Sequence, residues 1–144
     1  MLIDPSFLLQ QISSNMVEYA VVTFDIDGHI TSWNRGAEVI FGYATHEVLA
    51  TLADRLFILD DRVAGIAERE MQRALHDGSA VGLRWHQRKD GTLFWADGMM
   101  MPMHDNGIVV GFLKILRDVT ETKLMFEKAE YLASCDLLTG VANR

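Results

Sequence analysis

The sequence predicts an α+β fold, a five-stranded antiparallel sheet with short helices on one face, an N-terminal helix and a C-terminal linker helix. Two strand patterns come first, several short helical patterns follow, and three further strands joined by tight turns come last. Strands and helices that are segregated in this order are typical of an α+β domain. The length of 144 residues is enough for one domain with a hydrophobic core.

The chain begins with a helical pattern. Asp4 is predicted as the N-cap and Pro5 as the first helical residue, with the helix running over residues 6–15. Its apolar side is formed by Phe7, Leu8 and Ile12.

The segments AVVTF and HITSW predict the first two strands, joined by a hairpin turn at Asp27-Gly28, where glycine accepts a positive φ. The acidic residues of this turn do not form a calcium loop. Placing Asp25 and Asp27 at loop positions 3 and 5 puts Asn34 where a bidentate glutamate is required.

The middle of the chain predicts three helices. The first, in NRGAEVIFGY, is capped by Asn34, and the second, in THEVLA, by Thr45. The third is a single long helix over DDRVAGIAEREMQRALHDG that ends at Gly78. Its predicted inward stripe consists of Val63, Ile66, Met71, Ala74 and Leu75.

Three strands are predicted next, in AVGLRWHQR, TLFWADGMMMPM and IVVGFLKILRD, with turns at KDG and HDNG. A final helical pattern runs over residues 119–134.

Composition narrows the function classes. The net charge of −7 argues against a nucleic-acid or anionic-membrane surface, because both require a basic patch. The single cysteine, Cys135, excludes an internal disulfide framework and fits a reducing compartment. No apolar run approaches the ~20 residues that span a bilayer, and the N-terminus lacks a basic signal-peptide region. A cytoplasmic protein is therefore expected.

No catalytic or metal-binding motif is present in the sequence. It has no G-x-S-x-G elbow, no H-E-x-x-H and no phosphate-binding glycine fingerprint. The five histidines are scattered and do not pair with cysteine or glutamate at metal-ligand spacing. We therefore expect no catalytic residue, no metal site and no enzymatic activity in this chain.

Three segments in this order resemble a PAS domain of bacterial signalling proteins: SWNRGAEVIFGYATHEVLA, RKDGTLFWADGMMMPMHDNGIVVGF and RDVTE. The resemblance covers residues 20–121 and implies a sensory domain. The last nine residues, DLLTGVANR, resemble the D-x-L-T-G-L-x-N-R opening of a GGDEF domain, with Val141 in place of leucine. This second resemblance implies that a diguanylate cyclase domain follows in a longer parent protein.

The expected organisation is therefore a capping helix over 1–19, a sensory domain over 20–121, a linker helix over 122–135 and the truncated start of a GGDEF domain over 136–144. The GTP and metal residues of such a cyclase lie downstream of this segment. Synthesis of cyclic di-GMP is thus assigned to the parent protein and to no residue of this chain.

The PAS resemblance implies a small-molecule pocket between the sheet and the middle helices. Alternation in the strands, oriented by the family pattern, predicts its lining. The predicted lining residues are Trp33, Phe41, Met71, Leu75, Phe94, Ala96, Gly98, Met100, Phe112, Lys114 and Leu116. Two interpretations of Lys114 stay open, because an unpaired buried charge is costly: it contacts a ligand carboxylate, or it turns its ammonium out to solvent.

No cofactor is favoured by the sequence. In PAS domains haem is usually ligated by a histidine on the long middle helix. In this chain the only histidine of that helix is His76, at its C-terminal end. A flavin–cysteine adduct is excluded because Cys135 lies in the wrong part of the chain, whereas a non-covalent flavin beside Trp33 remains open. A core filled by its own side chains is the simplest interpretation.

A homodimer is expected through the outer face of the sheet and the N-terminal helix, since an exposed apolar strip requires cover. The predicted interface residues are Phe7, Leu8, Ile12, Trp95, Met99 and Met101. The alternative is a monomer whose own helix covers this face.

Two weak heptad seams run along the linker helix. The first comprises Thr122, Met125, Ala129, Leu132 and Asp136, and the second Val119, Thr122, Phe126, Ala129 and Ala133. We hypothesise that a change in the sensory core switches the register of a helix pair, although a plain spacer is equally compatible with the pattern.

Asp118 and Thr120 are predicted to cap the linker helix and to transfer the signal, with Arg117 or another basic group holding Asp118. The function expected overall is a sensory and dimerisation module that regulates a diguanylate cyclase. The alternatives are a ligand-free oligomerisation adaptor and a haem or flavin sensor of redox state or gas.

Overall fold

A computed structural model describes residues 18–136 and 141–142 of the chain. Its strands are β1 (Ala20–Asp25), β2 (Ile30–Trp33), β3 (Ala80–Gln87), β4 (Leu93–Asp105), β5 (Ile108–Asp118), β6 (Cys135–Asp136) and β7 (Val141–Ala142). Its helices are α1 (Arg35–Phe41), α2 (Thr45–Val48), a 3-10 turn (Ala53–Leu56), α3 (Leu59–Val63), α4 (Ile66–Asp77) and α5 (Thr120–Ala133). The predicted N-terminal helix, with Phe7, Leu8 and Ile12, lies outside the described residues.

The predicted α+β architecture is confirmed. β1 to β5 form one antiparallel sheet in the order β2-β1-β5-β4-β3, so that the first strand lies beside the last. Val22 is in register with Lys114, and Met100 with the same lysine on the other side. A separate two-stranded pair joins β6 to β7.

Local capping signals explain where the short helices begin, and one of the two predicted caps is wrong. Asn34 caps α1 as predicted, because its Oδ1 accepts a hydrogen bond from the Ala37 amide at 2.8 Å. Thr45 is not a cap: it is the first helical residue of α2, and Ala44 precedes it. The Glu47 carboxylate instead accepts a hydrogen bond from the Ala44 amide at 2.8 Å.

The single long helix predicted in the middle of the chain is wrong. It is divided into α3 and α4 by Gly65, which adopts a left-handed φ of 70° that interrupts helical geometry. The division rotates the buried face. Val63 is 81% exposed and Leu75 51% exposed, while Ala67, Glu70 and Ala74 face the core.

The hydrophobic core lies between the helices and the concave face of the sheet. Alternate residues of β4 and β5 point into it, as the period of two requires. Phe24, Phe41, Phe94 and Phe112 are the largest of its almost fully buried side chains. Across residues 18–136 and 141–142, no helix combines the length and the apolar character needed to cross a membrane.

Candidate functional site

The space between the helices and the sheet receives most of the predicted pocket residues. Those that are buried there are Trp33, Phe41, Phe94, Ala96, Gly98, Met100, Phe112, Lys114 and Leu116. Met71 is only partly buried. Leu75 does not belong to the set, because the break at Gly65 places it on the outer side of α4.

Aromatic rings close the centre of this space. The ring of Phe41 lies 5.3 Å from Trp33, 5.2 Å from Phe94 and 6.0 Å from His86, centroid to centroid. Phe57, which follows the 3-10 turn, lies 4.6 Å from His86 in an edge arrangement. Side chains of the chain itself therefore occupy the place where the family resemblance implied a ligand.

His86 is a buried residue that the sequence analysis did not single out. It lies on β3 with 2% of its surface exposed, and its Nδ1 lies 2.9 Å from the Leu56 carbonyl oxygen. Burial lowers the pKa of His86 well below 6.5, and the nearby positive charge of Lys114 lowers it further. The ring is therefore neutral and donates from Nδ1 to that carbonyl.

Lys114 is buried, with 5% of its surface exposed. The prediction that its ammonium turns out to solvent is therefore wrong, and the partner that the structure shows is a carboxylate of the chain itself. Its Nζ donates to Oε1 of Glu70 on α4 at 2.9 Å and lies 4.7 Å above the ring of Phe57. Burial lowers the pKa of Lys114, and the charge of Glu70 opposes that effect.

A second cation, Arg84 on β3, shares the same carboxylate. Its Nε lies 3.0 Å from Oε2 of Glu70 as an ion pair, and this Nε has no hydrogen-bond partner among the described residues. Two sequence signals could have revealed the cluster. Glu70 shares a helical face with Ala67 and Ala74, and Arg84 shares a strand face with His86.

The described interior does not fit a flavin or a haem. A planar cofactor needs a slot between the helices and the sheet, and here Phe41, Phe57 and Phe94 pack directly on one another or on His86. The imidazole of His86 is engaged at Nδ1 and flanked by these rings. His76, the histidine at the end of α4, is exposed and pairs with Asp77.

The junction between β5 and α5 contains the two predicted signal-transfer residues. Neither is the N-cap that the sequence predicted, because Val119 holds that position without a side-chain cap bond and Thr120 is the first helical residue. Oδ1 of Asp118 accepts hydrogen bonds from the Thr120 amide at 2.9 Å and from its hydroxyl at 2.5 Å. The Trp95 amide on β4 donates to Oγ1 of Thr120 at 2.8 Å. The basic partner of Asp118 is Arg88 on the β3–β4 turn, and not Arg117.

The outer face of the sheet bears apolar side chains, of which Met99 is 43% exposed while Trp95 and Met101 are partly buried. Trp95 packs against Trp85 at 5.2 Å, and the ammonium of Lys123 on α5 lies 4.5 Å above the Trp95 ring. These contacts anchor the first turns of α5 beside the sheet.

The two faces of α5 lie in different surroundings. Val119, Thr122 and Phe126 line a groove of about 450 Å³ that also includes Trp95. Leu124 and Met125 line a second groove of about 540 Å³ beside Asp118. Phe126 and Met125 are 65% and 64% exposed, so both seams of the linker helix present apolar surface.

Comparisons with known proteins agree with this geometry. A family model described as "PAS domain" matches residues 18–121. The chain is 37% identical over 106 residues to "Two-component system protein A" of Emericella nidulans, covering 74% of this chain and 16% of that relative's length.

Solved structures show the same architecture. The PAS domain of a Colwellia psychrerythraea protein has a TM-score of 0.76 and 26% identity, covering 82% of this chain and 99% of that one. An RNA-binding light-oxygen-voltage receptor has a TM-score of 0.72 and 24% identity, covering 92% of this chain and 38% of the receptor. The second likeness concerns the fold alone.

Proposed function

Because this chain belongs to the PAS domain family, we propose that it is the cytoplasmic sensory and dimerisation module of a longer signalling protein, in which it regulates a diguanylate cyclase domain. In this proposal residues 20–121 form the sensory domain, residues 122–135 form the linker helix, and residues 136–144 are the start of the cyclase domain. A capping segment over residues 1–19 precedes the sensory part. The catalytic reaction, which joins two GTP molecules into cyclic di-GMP, belongs to the parent protein.

The observation that carries the proposal is the junction at which β5 becomes α5. Asp118 and Thr120 connect the end of β5 to the helix, to Arg88 and to the backbone of β4. A displacement within the sheet therefore acts directly on the first turn of α5. An output helix tied to the sensory sheet in this way is what a regulatory module requires.

The resemblance of the last nine residues to a GGDEF domain supports a diguanylate cyclase as the regulated domain. Asp136, Leu138, Thr139, Gly140 and Asn143 stand at the positions of the GGDEF opening D-x-L-T-G-L-x-N-R, and Arg144 completes it. A cyclase that forms its product from two GTP molecules acts as a pair of domains. The distance and orientation of two linker helices would then set its activity.

A homodimer is part of the proposal. Apolar side chains of α5 remain exposed in the single chain, including Leu124, Met125, Phe126, Tyr131 and Leu132. A helix of 14 residues with this much uncovered apolar surface gains stability by pairing with another helix. On the outer sheet face, Met99 is a further exposed apolar side chain.

The test uses the full-length parent protein. We expect the purified parent to convert GTP to cyclic di-GMP, detected by mass spectrometry, and we expect its rate to change several-fold when residues 18–121 are deleted. Absence of cyclic di-GMP would exclude the cyclase assignment. An unchanged rate after the deletion would exclude regulation by this module while leaving the cyclase assignment intact.

A second candidate is a ligand-free oligomerisation adaptor, and one observation favours it. The interior is filled by aromatic rings and by the Glu70–Lys114 pair, which leaves the module without an evident place for a large ligand. Mass spectrometry of small molecules extracted from the purified chain separates the two candidates. Visible absorbance of the purified chain tests the remaining alternative of a flavin or haem sensor, because both cofactors are coloured.

A further inference from the structure

The outer face of the sheet carries two opposite charges that do not meet. Asp97 on β4 is in register with Arg117 on β5, and both line a groove on this face. Among residues 18–136 and 141–142, the Asp97 carboxylate has neither a hydrogen bond nor an ion pair. The Arg117 guanidinium lies instead 6.0 Å from the ring centre of Tyr19, which precedes β1. Since a half-buried carboxylate without a partner is costly, this face offers an unmatched charge.

The groove around the two charges is otherwise apolar. Met99 follows Asp97 on the outer face of β4, and Ile115 is its in-register neighbour on β5. Together with Arg117, these residues line a groove of about 340 Å³. An apolar groove with a free carboxylate fits an apolar surface that bears a cation. The groove itself contains such a cation, so its charges are complementary to those of a second copy.

The direction of the symmetry axis decides whether these charges meet. In a two-fold dimer, residue i of one copy contacts residue j of the other, and j contacts i. An axis that runs along the strands, above the boundary between β4 and β5, places β4 of one copy over β5 of the other. Asp97 then faces Arg117 of the second copy at two equivalent contacts, and Met99 faces Ile115 of the second copy.

We propose that two copies of this chain pair through the outer faces of their sheets, with reciprocal Asp97–Arg117 ion pairs that fix the register and direction of the dimer. The proposal rests on the homodimer of the proposed function and adds the residues that specify it. The apolar groove supplies most of the affinity, because surface ion pairs contribute little by themselves. The ion pairs supply specificity, because like charges disfavour competing arrangements.

The direction of this dimer determines where its two linker helices lie. β5 ends at Asp118, and α5 begins two residues later. An axis along the strands keeps the strand direction the same in both copies, so both α5 helices leave from the same end of the dimer. An axis across the strands sends them to opposite ends and can place Asp97 against its own copy. The ion pairs therefore select the arrangement that brings two downstream domains together.

The first experiment measures dimerisation of the 144-residue chain by sedimentation velocity. Asp97→Arg and Arg117→Asp each place like charges opposite one another twice, so the dissociation constant of the dimer rises more than about tenfold. An equimolar mixture of the two variants restores dimerisation, because a heterodimer has opposite charges at both contacts. Native mass spectrometry identifies the heterodimer, since the two variants differ in mass.

Two charge reversals on the helical side of the sheet are the matched controls. Asp60→Arg on α3 and Arg73→Asp on α4 change the net charge by the same amounts at exposed positions, and they leave the dissociation constant unchanged. The mixture also controls for folding, because a misfolded variant cannot form the heterodimer. If either reversal prevents folding, Asp97→Asn and Arg117→Gln replace it, and each reduces the salt dependence of dimerisation.

The second experiment tests the direction of the dimer. A spin label on Tyr131→Cys, an exposed position near the end of α5, is introduced together with Cys135→Ser. Helices that leave from the same end keep the two labels of a dimer closer than about 40 Å, whereas opposite ends separate them by more than the length of two such helices. Pulsed electron resonance measures the distance.

The proposal is overturned if Asp97→Arg and Arg117→Asp dimerise as the wild-type chain does, or if their mixture remains monomeric while each variant is folded. A label distance above about 40 Å overturns the shared direction of the helices. None of these measurements involves the cyclase. Failure of the ion pairs in a chain that still dimerises is therefore distinguished from failure of the proposed regulation.

Discussion

The guanidinium of Arg88 donates from Nη2 to Oδ2 of Asp118 at 2.5 Å, and its Nε donates to the Ile40 carbonyl at 3.0 Å. One side chain on the β3–β4 turn thus joins the last turn of α1 to the end of β5. The side chains of Arg88 and Asp118 are both partly exposed to solvent, so their ion pair contributes little to stability. Because it lies at the start of α5, this ion pair is well placed to couple the sheet to that helix.

We predict that Asp118→Asn uncouples regulation from sensing at little cost in stability. Asparagine retains an oxygen that accepts from the Thr120 amide but loses the charge that pairs with Arg88. The free energy of unfolding falls by about 1 kcal/mol or less, whereas the cyclase rate of the proposed parent protein ceases to respond to its signal. Denaturant unfolding and cyclase assays measure the two effects.

Asp105→Asn, at the exposed end of β4, is the matched control and leaves both properties unchanged. A large loss of stability in Asp118→Asn together with normal regulation would contradict the prediction.

We predict an asymmetry between the two halves of the buried ion pair. Glu70→Gln leaves both Lys114 and Arg84 without an anionic partner and lowers the free energy of unfolding by roughly 3–5 kcal/mol. Lys114→Met costs less, because Arg84 still neutralises Glu70. Urea denaturation of both variants measures the difference.

Glu47→Gln provides the exposed comparison for this pair, since its partner Lys89 is largely accessible, and its loss of stability is far smaller than that of Glu70→Gln. Equal losses in Glu70→Gln and Lys114→Met would show that Arg84 does not share the charge of Glu70.

We predict that His86 makes the domain less stable in mild acid. The pKa of His86 in the folded chain lies well below its ordinary 6.5, so the unfolded chain binds a proton first as the pH falls through about that value. Stability is therefore lost from pH 6.5 downward until the folded pKa is reached, with a slope of up to about 1.4 kcal/mol per pH unit.

His86→Asn removes this slope while retaining a donor for the Leu56 carbonyl. Urea denaturation at several pH values between 5 and 7 measures it, and His104→Asn, an exposed histidine on β4, keeps the wild-type slope. The prediction is wrong if the slopes of wild type and His86→Asn coincide.

We predict that Gly111→Ala is strongly destabilising. A Cβ atom at this position on β5 would lie 2.2 Å from the Phe24 carbonyl oxygen of β1, and the strand backbone must move to relieve the overlap. The expected loss is about 2–3 kcal/mol in the free energy of unfolding. Val110→Ala, at the neighbouring exposed position, costs less than about 1 kcal/mol, and an equal loss in both variants would refute the steric account.

We predict that disulfide crosslinking distinguishes the two faces of α5. Met125 and Phe126 line opposite grooves beside the helix, and Phe126 shares its groove with Trp95. Cysteine at position 125 should therefore crosslink two copies faster than cysteine at position 126 while α5 stays beside Trp95.

Both variants carry Cys135→Ser, so that only the introduced thiol reacts. The ratio of the two rates, measured on non-reducing gels of the proposed parent dimer, should change when the proposed cyclase is activated. A ratio that stays constant under every activating condition would eliminate the register hypothesis.

Several parts of the structure follow from local sequence rules. The alternation in FWADGMMMP predicts which side of β4 faces inward once the family pattern orients it, and Phe94, Ala96 and Met100 are indeed buried. The cap bond of Asn34 to Ala37 and the Asp27-Gly28 turn are equally local signals, since each forms within a few residues. The prediction of one long middle helix failed because apolar spacing alone gave too little weight to Gly65.

What the sequence by itself determined is the α+β order of elements, the division of the long strands into two alternating faces and the cap of α1. Only the tertiary structure decided that Lys114 pairs with Glu70, 44 residues away, and that Asp118 pairs with Arg88, 30 residues away. Periodicity reports which face of an element is apolar, because that property repeats along the chain. It carries no information about which charged groups meet, because the packing of α4 and of the β3–β4 turn against the sheet brings them together.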